Sequence, residues 1–296
     1  MFNTEQLLKE TQLFWQYPVI TEKEFYNQNN KNINYCGVPW ATIIDKHIPI
    51  NSVLKIILPM MKHKNYYTCC QHICFKRLCK LFWVLGIKTL YTPHKVIGEN
   101  IINGITIKSC PLYAVNIENY PKNKTFENVD FIKKKRRYLY SFAGGYQKNY
   151  LTTIRMDIFN MKHPTNTYIQ NTGDWHFNEL VYNIKQNNRG ILNISQNHKD
   201  KTETYNNLLL NSRYSLCPSG SGPNSIRFWE SLAVGSIPVL LADTLDLPEH
   251  ELWNKAIVRI KESDYKKIPE ILNNISNEEE NNRRINCIKI YNGLHL

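Results

Sequence analysis

Apolar and polar positions along the carboxyl-terminal half of the chain form short blocks of alternating period. Brief apolar runs, typical of buried strands, recur between longer segments whose apolar residues have helical spacing. Strands alternating with helices favour a parallel, doubly wound sheet. The predicted strands are Tyr138–Ala143, Gly190–Ile194, Tyr214–Cys217 and Ile237–Ala242, and the predicted helices are Thr152–Met161, Thr204–Asn211 and Ile226–Val234.

The amino-terminal half shows a weaker form of this alternation. Val53–Leu58 fits a strand or a short buried helix, because an apolar run of this length suits both. Cys70–Leu85 predicts a helix that ends at Gly86, since its apolar residues fall on one side. Lys88–Tyr91 then predicts a strand, and Thr92–His94 a loop at its carboxyl end, so we expect α/β structure here too.

A polar stretch separates the two halves. Residues 117–137 contain Pro121, several Asn and the basic run Lys133–Arg137, a composition typical of a linker with a solvated charged segment. A chain of 296 residues is long enough for two domains. We therefore predict one domain over residues 1–130 and a second over 131–296, with a charged helical tail from Lys267 to Tyr291.

The net charge of +12 raises the question of a nucleic-acid partner. The chain is rich in Asn, Lys and Ile throughout and contains one dense basic run, with no recognisable RNA-binding or helix-turn-helix signature. A general compositional bias explains the charge, so we predict no nucleic-acid partner. A basic cleft would also suit a phosphate-bearing ligand.

The eight cysteines are irregularly spaced, and no pair has CxxC spacing. The cluster between Cys69 and Cys79 is therefore interpreted as packed, reduced thiols rather than a zinc site. The first residues contain acids and no apolar core, unlike a signal peptide. Lys80 and Lys88 interrupt the longest apolar stretch, so we expect a cytoplasmic protein without a membrane span, with peripheral membrane association left open.

The clearest chemistry lies in the loop after the predicted strand Tyr214–Cys217. Gly220 and Gly222 would let a ligand approach the backbone closely. Asn224 and Ser225 are typical N-cap residues, so free N–H groups and the helix dipole would form an anion site suited to a diphosphate. Ser219 and Ser221 complete this small-residue loop.

Two charged residues follow in the first turns of the helix. Arg227 can bond to phosphate, and Glu230 can accept hydrogen bonds from ribose hydroxyls. Each feature also has a structural explanation, because the glycines fit a simple turn and Arg227 with Glu230 fits a surface ion pair. Their clustering, with Gly235–Asp243 following at helix length, favours a nucleotide site.

The stretch from Ser212 to Pro248 resembles the donor-binding region of exostosin-like glycosyltransferases, glycosyltransferase family 47. Upstream, Phe142-Ala143-Gly144 and Ile154-Arg155 match further elements of the family, so the resemblance covers roughly residues 136–260. The matching positions are Cys217-Pro218-Ser219-Gly220, Arg227, Glu230, Gly235, Pro238-Val239, Asp243, Leu247-Pro248 and Trp253. In the amino-terminal half, the motifs that resemble small microbial or viral members of the family are Pro39–Asp45, Cys70-Gln71-His72, Pro93-His94 and Pro111-Leu112-Tyr113.

This resemblance implies two Rossmann-like domains facing a cleft, the GT-B glycosyltransferase fold. It implies inverting, metal-independent transfer from a nucleotide diphosphate sugar, most simply a UDP-sugar, to a glycan hydroxyl, with no cofactor. The amino-terminal domain would bind the acceptor and the carboxyl-terminal domain the donor. Donor contacts would come from Ser219 to Gly222, Asn224, Ser225, Arg227 and Glu230, with Arg155 and Arg213 as further candidates.

Inverting transfer needs a general base for the acceptor hydroxyl. Asp45 is the leading candidate because it follows an apolar run and precedes His47. His94, at the end of a predicted strand, and His72 are the competitors. Any one of them alone is more often structural than catalytic.

Three other hypotheses stay open. A fucosyltransferase-like enzyme would use a GDP-sugar, although the Tyr-x-Thr-Glu-Lys pattern expected of it is missing. A non-catalytic nucleotide- or carbohydrate-binding protein would retain the donor residues and lose the acceptor half. A nucleic-acid binder is supported by charge alone and would bind DNA with strong salt dependence.

Overall fold

The computed structural model describes residues 2–11, 13–113, 124–173, 177 and 195–294. The chain divides into two compact units. The first comprises Met1–Val115, Phe177–Asn193 and Leu245–Pro248, and the second comprises Asn116–His176, Ile194–Thr244 and Glu249–Leu296.

The first unit is a small α/β structure around a four-stranded sheet. The strands run in the order β1-β2-β4-β3; β1, β2 and β4 are parallel, and β3 forms an antiparallel hairpin with β4. Its elements are α1 (Thr4–Glu10), α2 (Thr21–Asn29), α3 (Trp40–Asp45), α4 (Ile50–Ile57), β1 (Tyr66–Cys69), a 3₁₀ turn (Phe75–Leu78), α5 (Cys79–Val84), β2 (Ile87–Thr92), β3 (Ile101–Ile102) and β4 (Ile105–Ser109).

The core of this unit joins the sheet to its helices. Trp40 at the start of α3 is fully buried against Phe82 of α5, with ring centroids 4.9 Å apart. The Trp40 indole N–H donates to Thr68 Oγ1 at 2.8 Å, which satisfies its one polar atom inside the core. The carboxyl ends of β1 and β2 therefore lie close to α3, and these ends carry the polar groups described below.

The second unit is built on a five-stranded, all-parallel sheet. The strand order is β6-β5-β7-β8-β9, so β7 is central. Its elements are β5 (Tyr138–Gly144), α6 (Ile154–Asn160), β6 (Tyr168–Asn171), α7 (Gln196–Leu210), β7 (Ser212–Pro218), α8 (Ile226–Ala233), β8 (Ile237–Leu241), α9 (Trp253–Ala256), β9 (Val258–Arg259), α10 (Ile268–Asn273) and α11 (Asn277–Gly293).

Sequence signals account for several boundaries in this unit. Ser195 and Ser276 cap α7 and α11, each hydroxyl accepting a backbone N–H three residues on. The β8 strand is buried along its whole length, as expected for a central strand covered on both faces. Gly235 joins α8 to β8 with a φ of +63°, a left-handed conformation that favours glycine.

The predicted α/β class with parallel sheets is confirmed. Of the strand and the short helix predicted as alternatives for Val53–Leu58, the helix is found, because the segment lies mainly in α4. The predicted helix Cys70–Leu85 is instead the turn after β1, a 3₁₀ turn and the short α5. The predicted strand Gly190–Ile194 and part of the predicted linker lie outside the described residues.

The basic run before β5 also differs from the predicted solvated segment. Lys133, Lys134 and Lys135 are exposed, whereas the Arg136 guanidinium donates to four backbone carbonyls. These belong to Phe131, Leu209, Ser212 and Val234, at distances of 2.6 to 3.1 Å. Within the described residues, no helix is both long and apolar enough to cross a bilayer.

Candidate functional site

The small-residue loop lies at the carboxyl end of the central strand β7, where α/β sheets commonly bind ligands. Ser219 N–H donates to the Leu241 carbonyl at 2.9 Å, so the loop starts beside the end of β8. Gly220 N–H donates to the Gly222 carbonyl at 3.0 Å, and the Gly220 carbonyl accepts from Leu151 N–H at 2.9 Å. The loop therefore has a defined backbone, with Ser221 exposed at its tip.

The Arg155 guanidinium of α6 hydrogen-bonds to the backbone of this loop. Its Nε donates to the Ser219 carbonyl at 2.9 Å, and its Nη1 donates to the Gly145 carbonyl at 3.1 Å. A Cβ atom at Gly220 would lie 2.8 Å from Arg155 Nη2, closer than real Cβ contacts. A side chain at this position would therefore displace the Arg155 guanidinium.

Arg227 of α8 reaches the same end of the sheet. Its Nη2 donates to the Ala143 carbonyl at the end of β5. The Arg227 guanidinium lies 4.6 Å from the Phe142 ring centroid, and the Arg155 guanidinium lies 5.7 Å from that centroid. The two cations thus share one buried aromatic ring, a favourable cation–π arrangement.

Among the described residues, Arg155 and Arg227 are held by neutral hydrogen-bond acceptors. Burial and the neighbouring charge of Arg227 lower the pKa of Arg155 to about 10. In the described part of the chain, no carboxylate forms a salt bridge with either guanidinium, and their bonds go to neutral carbonyls. Both side chains are half-buried, and a guanidinium without a carboxylate partner can donate to an anion, so this pair is a candidate anion site.

The start of α8 adds groups that can bind an anion. Asn224 Oδ1 accepts from Trp229 Nε1 at 3.1 Å and from Ser225 N–H at 2.9 Å, which fixes the turn into the helix. Ser225 occupies the N-cap position without a side-chain cap bond. Its buried hydroxyl oxygen makes no hydrogen bond with any described residue. First-turn N–H groups lack helical partners, so donors converge beside the loop.

Glu230 lies one turn into α8 and is almost fully buried. Its Oε2 accepts from the Tyr205 hydroxyl of α7 at 2.8 Å. Burial, and then the negative charge of Glu230, raise the pKa of Tyr205 well above its usual range. The Tyr205 ring also lies 5.6 Å from the Arg227 guanidinium, so it links the predicted acid to the predicted cation.

Besides Tyr205, the sequence analysis missed Glu262, which also lies at this site. Glu262 Oε1 accepts from the Ser219 hydroxyl at 2.9 Å, and Thr152 Oγ1 lies 3.2 Å from the same hydroxyl. Burial raises the pKa of the Glu262 carboxyl. Neither Glu262 nor Tyr205 belongs to a recognisable motif, and each meets its partner across many residues of chain, so no local signal could have identified them.

Arg213 is not brought to the loop. It lies at the amino end of β7, and its Nε and Nη2 bond to Glu280 Oε2 of α11 at 2.7 and 2.5 Å. A strand rises about 3.3 Å per residue, so the six-residue step from Arg213 to Ser219 spans roughly 20 Å. The structure therefore separates Arg213 from the other predicted donor residues.

The first unit brings together two of the three candidate bases. The Asp45 carboxylate at the end of α3 lies 2.7 Å from His72 Nε2, and both side chains are largely buried. Asp45 Oδ2 also accepts from Gln16 Nε2 at 2.9 Å, a contact that the sequence analysis missed. His72 Nδ1 accepts from Cys74 N–H at 2.9 Å, so the ring is held on both sides.

His94 lies at the carboxyl end of β2 and is buried. Burial, together with repulsion from His72, lowers the pKa of His94 to about 3, so its ring is neutral at physiological pH. Within the described residues, its Nδ1 makes no hydrogen bond. His94 is thus close enough to His72 to interact electrostatically, but it does not bond to Asp45.

The buried carboxyl of Glu22 hydrogen-bonds to the backbone next to Asp45 and His72. Glu22 Oε1 accepts from Ala41 N–H at 3.0 Å and from Gln71 N–H at 3.1 Å. Burial is the main cause that raises the pKa of Glu22 to about 8. Ala41 lies in the first turn of α3, which ends at Asp45, and Gln71 directly precedes His72. Glu22 therefore connects the two segments that carry Asp45 and His72.

The described residues contain no candidate metal site. No group of three or more His, Cys, Asp or Glu side chains there is arranged to hold a metal ion. All eight cysteines are free thiols, and seven of them are buried. In the cluster between Cys69 and Cys79, the thiols of Cys69, Cys70 and Cys79 are buried and that of Cys74 is partly exposed.

Comparison with known proteins places these features in a family context. The family model described as the exostosin GT47 domain matches residues 88–275. An exostosin-1 homologue of Caenorhabditis elegans is 31% identical over 205 residues, which cover 66% of this chain and 50% of that protein. Exostosin-1c of Danio rerio is 29% identical over 185 residues, covering 59% and 22% respectively.

A plant relative matches a shorter segment. A probable glucuronosyltransferase of Oryza sativa subsp. japonica, GUT1, is 32% identical over 93 residues, covering 31% of this chain and 22% of the plant protein. The chain thus spans half or less of each of these relatives. The N-terminal domain of Candida albicans trehalose-6-phosphate phosphatase aligns with a TM-score of 0.43 at 11% identity, over 81% of this chain and 63% of that one, a similarity too low to support an argument.

Proposed function

The chain belongs to the exostosin GT47 family of glycosyltransferases, and we propose that it transfers a sugar from a nucleotide diphosphate sugar to a glycan hydroxyl. We further propose a UDP-sugar donor, inversion at the anomeric carbon and no metal requirement. Residues 131–296 would hold the donor and residues 1–130 the acceptor.

The observation that carries this proposal is the pair Arg155 and Arg227, neither of which forms a salt bridge with a described residue. Both guanidinium groups are held by neutral carbonyls at the end of the sheet where the small-residue loop begins. A diphosphate there would receive charge-assisted hydrogen bonds and the N–H groups at the start of α8. The same cations would stabilise the negative charge that grows on the leaving diphosphate.

The nucleoside would lie beside this diphosphate site. The Glu230 carboxylate is a hydrogen-bond acceptor held in place by Tyr205, and a ribose presents hydroxyl donors. Glu262 offers a second carboxyl next to Ser219. These two acids suit a ligand that combines an anionic diphosphate with hydroxyl-rich sugars.

The chemical step would use Asp45 as general base. The acceptor hydroxyl oxygen attacks the anomeric carbon while its proton passes to an Asp45 oxygen. The bond from the anomeric carbon to the phosphate oxygen breaks, and the nucleoside diphosphate leaves with the bonding electron pair. The new glycosidic bond then has inverted configuration, and no oxidant or reductant is consumed.

Calorimetric titration with UDP, GDP and CMP in EDTA tests the donor assignment. We expect tight UDP binding to the wild type, and a loss of about 10- to 100-fold in Arg227→Ala, because a hydrogen bond to a charged group contributes about 1.5–3 kcal/mol. Glu230→Ala should also weaken binding, whereas the exposed Arg77→Ala is the matched control. Preference for GDP would favour the fucosyltransferase-like alternative, and absence of binding to folded protein would favour a non-catalytic module.

A further inference from the structure

Both oxygens of the Asp45 carboxylate have a side-chain donor. His72 Nε2 lies 2.7 Å from Oδ1, and Gln16 Nε2 donates to Oδ2 at 2.9 Å. Gln16 lies before α2 and is 29 residues from Asp45 in sequence, yet its side chain is buried. Burying a polar amide costs free energy unless it is bonded, so this contact is specific rather than incidental.

The hydrogen bonds of His72 determine which nitrogen carries its proton. Cys74 N–H donates to Nδ1, so Nδ1 presents its lone pair. In the neutral ring the hydrogen then lies on Nε2 and is donated to Asp45. Both nitrogens are occupied, and His72 has no lone pair left to accept a proton from an acceptor hydroxyl.

Asp45 retains that capacity. An ionised carboxylate offers about four lone-pair directions, and two of them are used by His72 and Gln16. Among this pair of residues, Asp45 is therefore the one able to take a proton. His72 acts on it by orienting and stabilising the carboxylate.

The backbone segments that carry Asp45 and His72 are held in place by Glu22. Glu22 accepts N–H groups from Ala41 and Gln71, which anchor the start of α3 and the residue before His72. What remains to be set is the rotation of the Asp45 carboxylate itself. The Gln16 amide fixes this rotation through its hydrogen bond to Oδ2. Because the amide is neutral, it orients the carboxylate without neutralising its charge, as a Lys or Arg would.

We propose that Gln16 is a positioning residue that acts through Asp45. This inference rests on the proposed function, since it takes Asp45 as the general base. A small rotation of the carboxylate would misplace the base relative to the acceptor hydroxyl, and misplacement of about 1 Å can reduce a rate about 100-fold. Donor binding uses residues of the second unit, so nucleotide affinity should be unaffected.

The test compares Gln16→Met with Gln6→Leu. Methionine has a similar length and volume but no N–H donor. Gln6 is an exposed glutamine whose amide donates to Glu10 at 2.8 Å, so it is a matched carboxylate-bonded control. UDP release would be measured with UDP-glucose, UDP-N-acetylglucosamine and UDP-glucuronic acid, with p-nitrophenyl glycosides as acceptors.

We expect Gln16→Met to lower kcat about 10- to 100-fold, to leave the donor KM within about twofold, and to move the acid-side limb of the kcat/KM profile to higher pH. Gln6→Leu should match the wild type. In the Asp45→Asn background, Gln16→Met should have no additional effect, because a residue that acts through Asp45 has nothing left to position. If Gln16→Met does not fold, Gln16→Asn replaces it, since its shorter amide cannot reach Oδ2.

Three outcomes would overturn the inference, and they are distinguishable. Equal kcat values for Gln16→Met and wild type would reject the role of Gln16 alone. Full activity of Asp45→Asn would reject Asp45 as the base, and additive losses in the double variant would show that Gln16 acts elsewhere. Failure of the wild type to transfer from any donor, despite binding UDP, would instead reject the proposed function on which the inference depends.

Discussion

The buried carboxyl of Glu22 makes a quantitative prediction about stability and pH. Its side chain is 1% exposed, and burial raises its pKa from 4.5 to about 8. Between these values the folded protein holds a proton that the unfolded chain has released. Stability therefore falls as pH rises through this window, by about 1.4 kcal/mol per pH unit and about 5 kcal/mol in total.

His94 has the opposite effect at lower pH. Burial lowers its pKa from 6.5 to about 3, so its contribution to stability is present above pH 6.5 and is lost as pH falls toward 3. The two slopes cancel between about pH 4.5 and 6.5. Above pH 6.5 the Glu22 contribution is no longer offset by His94, and from pH 6.5 to 9.0 it corresponds to about 2 kcal/mol.

Urea unfolding of the wild type and Glu22→Gln at pH 6.5 and 9.0, followed by circular dichroism, measures this contribution. The glutamine variant does not titrate, so other ionisable groups cancel in the difference between the two proteins. We expect the wild type to lose about 2 kcal/mol relative to the variant as the pH is raised. Glu24→Gln on the same helix is the matched control. The idea of a buried, protonated Glu22 would be refuted if the difference in unfolding free energy between the wild type and Glu22→Gln were the same at both pH values. A wild type that becomes more stable relative to the variant at pH 9.0 would refute it as well.

Three further predictions concern the second unit. Gly220→Ala should weaken UDP binding about tenfold by calorimetry without changing the circular dichroism spectrum, because a Cβ would displace the Arg155 guanidinium. Arg136→Lys should lower the free energy of unfolding in urea by about 2–3 kcal/mol, since one ammonium cannot reach all four carbonyls. Tyr205→Phe removes one donor to Glu230 and should weaken UDP binding about 5- to 10-fold in the same titration, with unchanged UDP affinity contradicting the link.

The three inner strands of the second unit's sheet, β5, β7 and β8, were predicted from the sequence, whereas the outer strands β6 and β9 were not. The inner strands are largely buried, and the apolar run of β8 shows this most clearly in the sequence. The small-residue loop after β7 was predictable because its signals are local. Glycine and N-cap residues are required by local backbone geometry, which acts over a few neighbouring residues.

The first unit was less predictable because contacts distant in sequence decide its local structure. The apolar spacing of Cys70–Leu85 fits a helix, yet Gln71 and His72 are drawn into bonds with Glu22 and Asp45. These tertiary contacts outweigh the helical propensity of the segment. The Gln16 contact depends on the same kind of long-range packing, and no pattern in one sequence specifies it.

The arginines of the second unit show that residue type alone could not tell which of them lie at the candidate site. Arg213 and Arg284, at the amino end of the sheet, both bond to Glu280, so their charge is compensated within the fold. Arg155 and Arg227, at the carboxyl end, bond to carbonyls, which orient a guanidinium without neutralising it. Arg136, also at the amino end, bonds to four neutral carbonyls, so the type of partner does not by itself separate the two ends of the sheet. Arg155 and Arg227 differ from Arg136 because their guanidinium groups lie over one aromatic ring beside the small-residue loop.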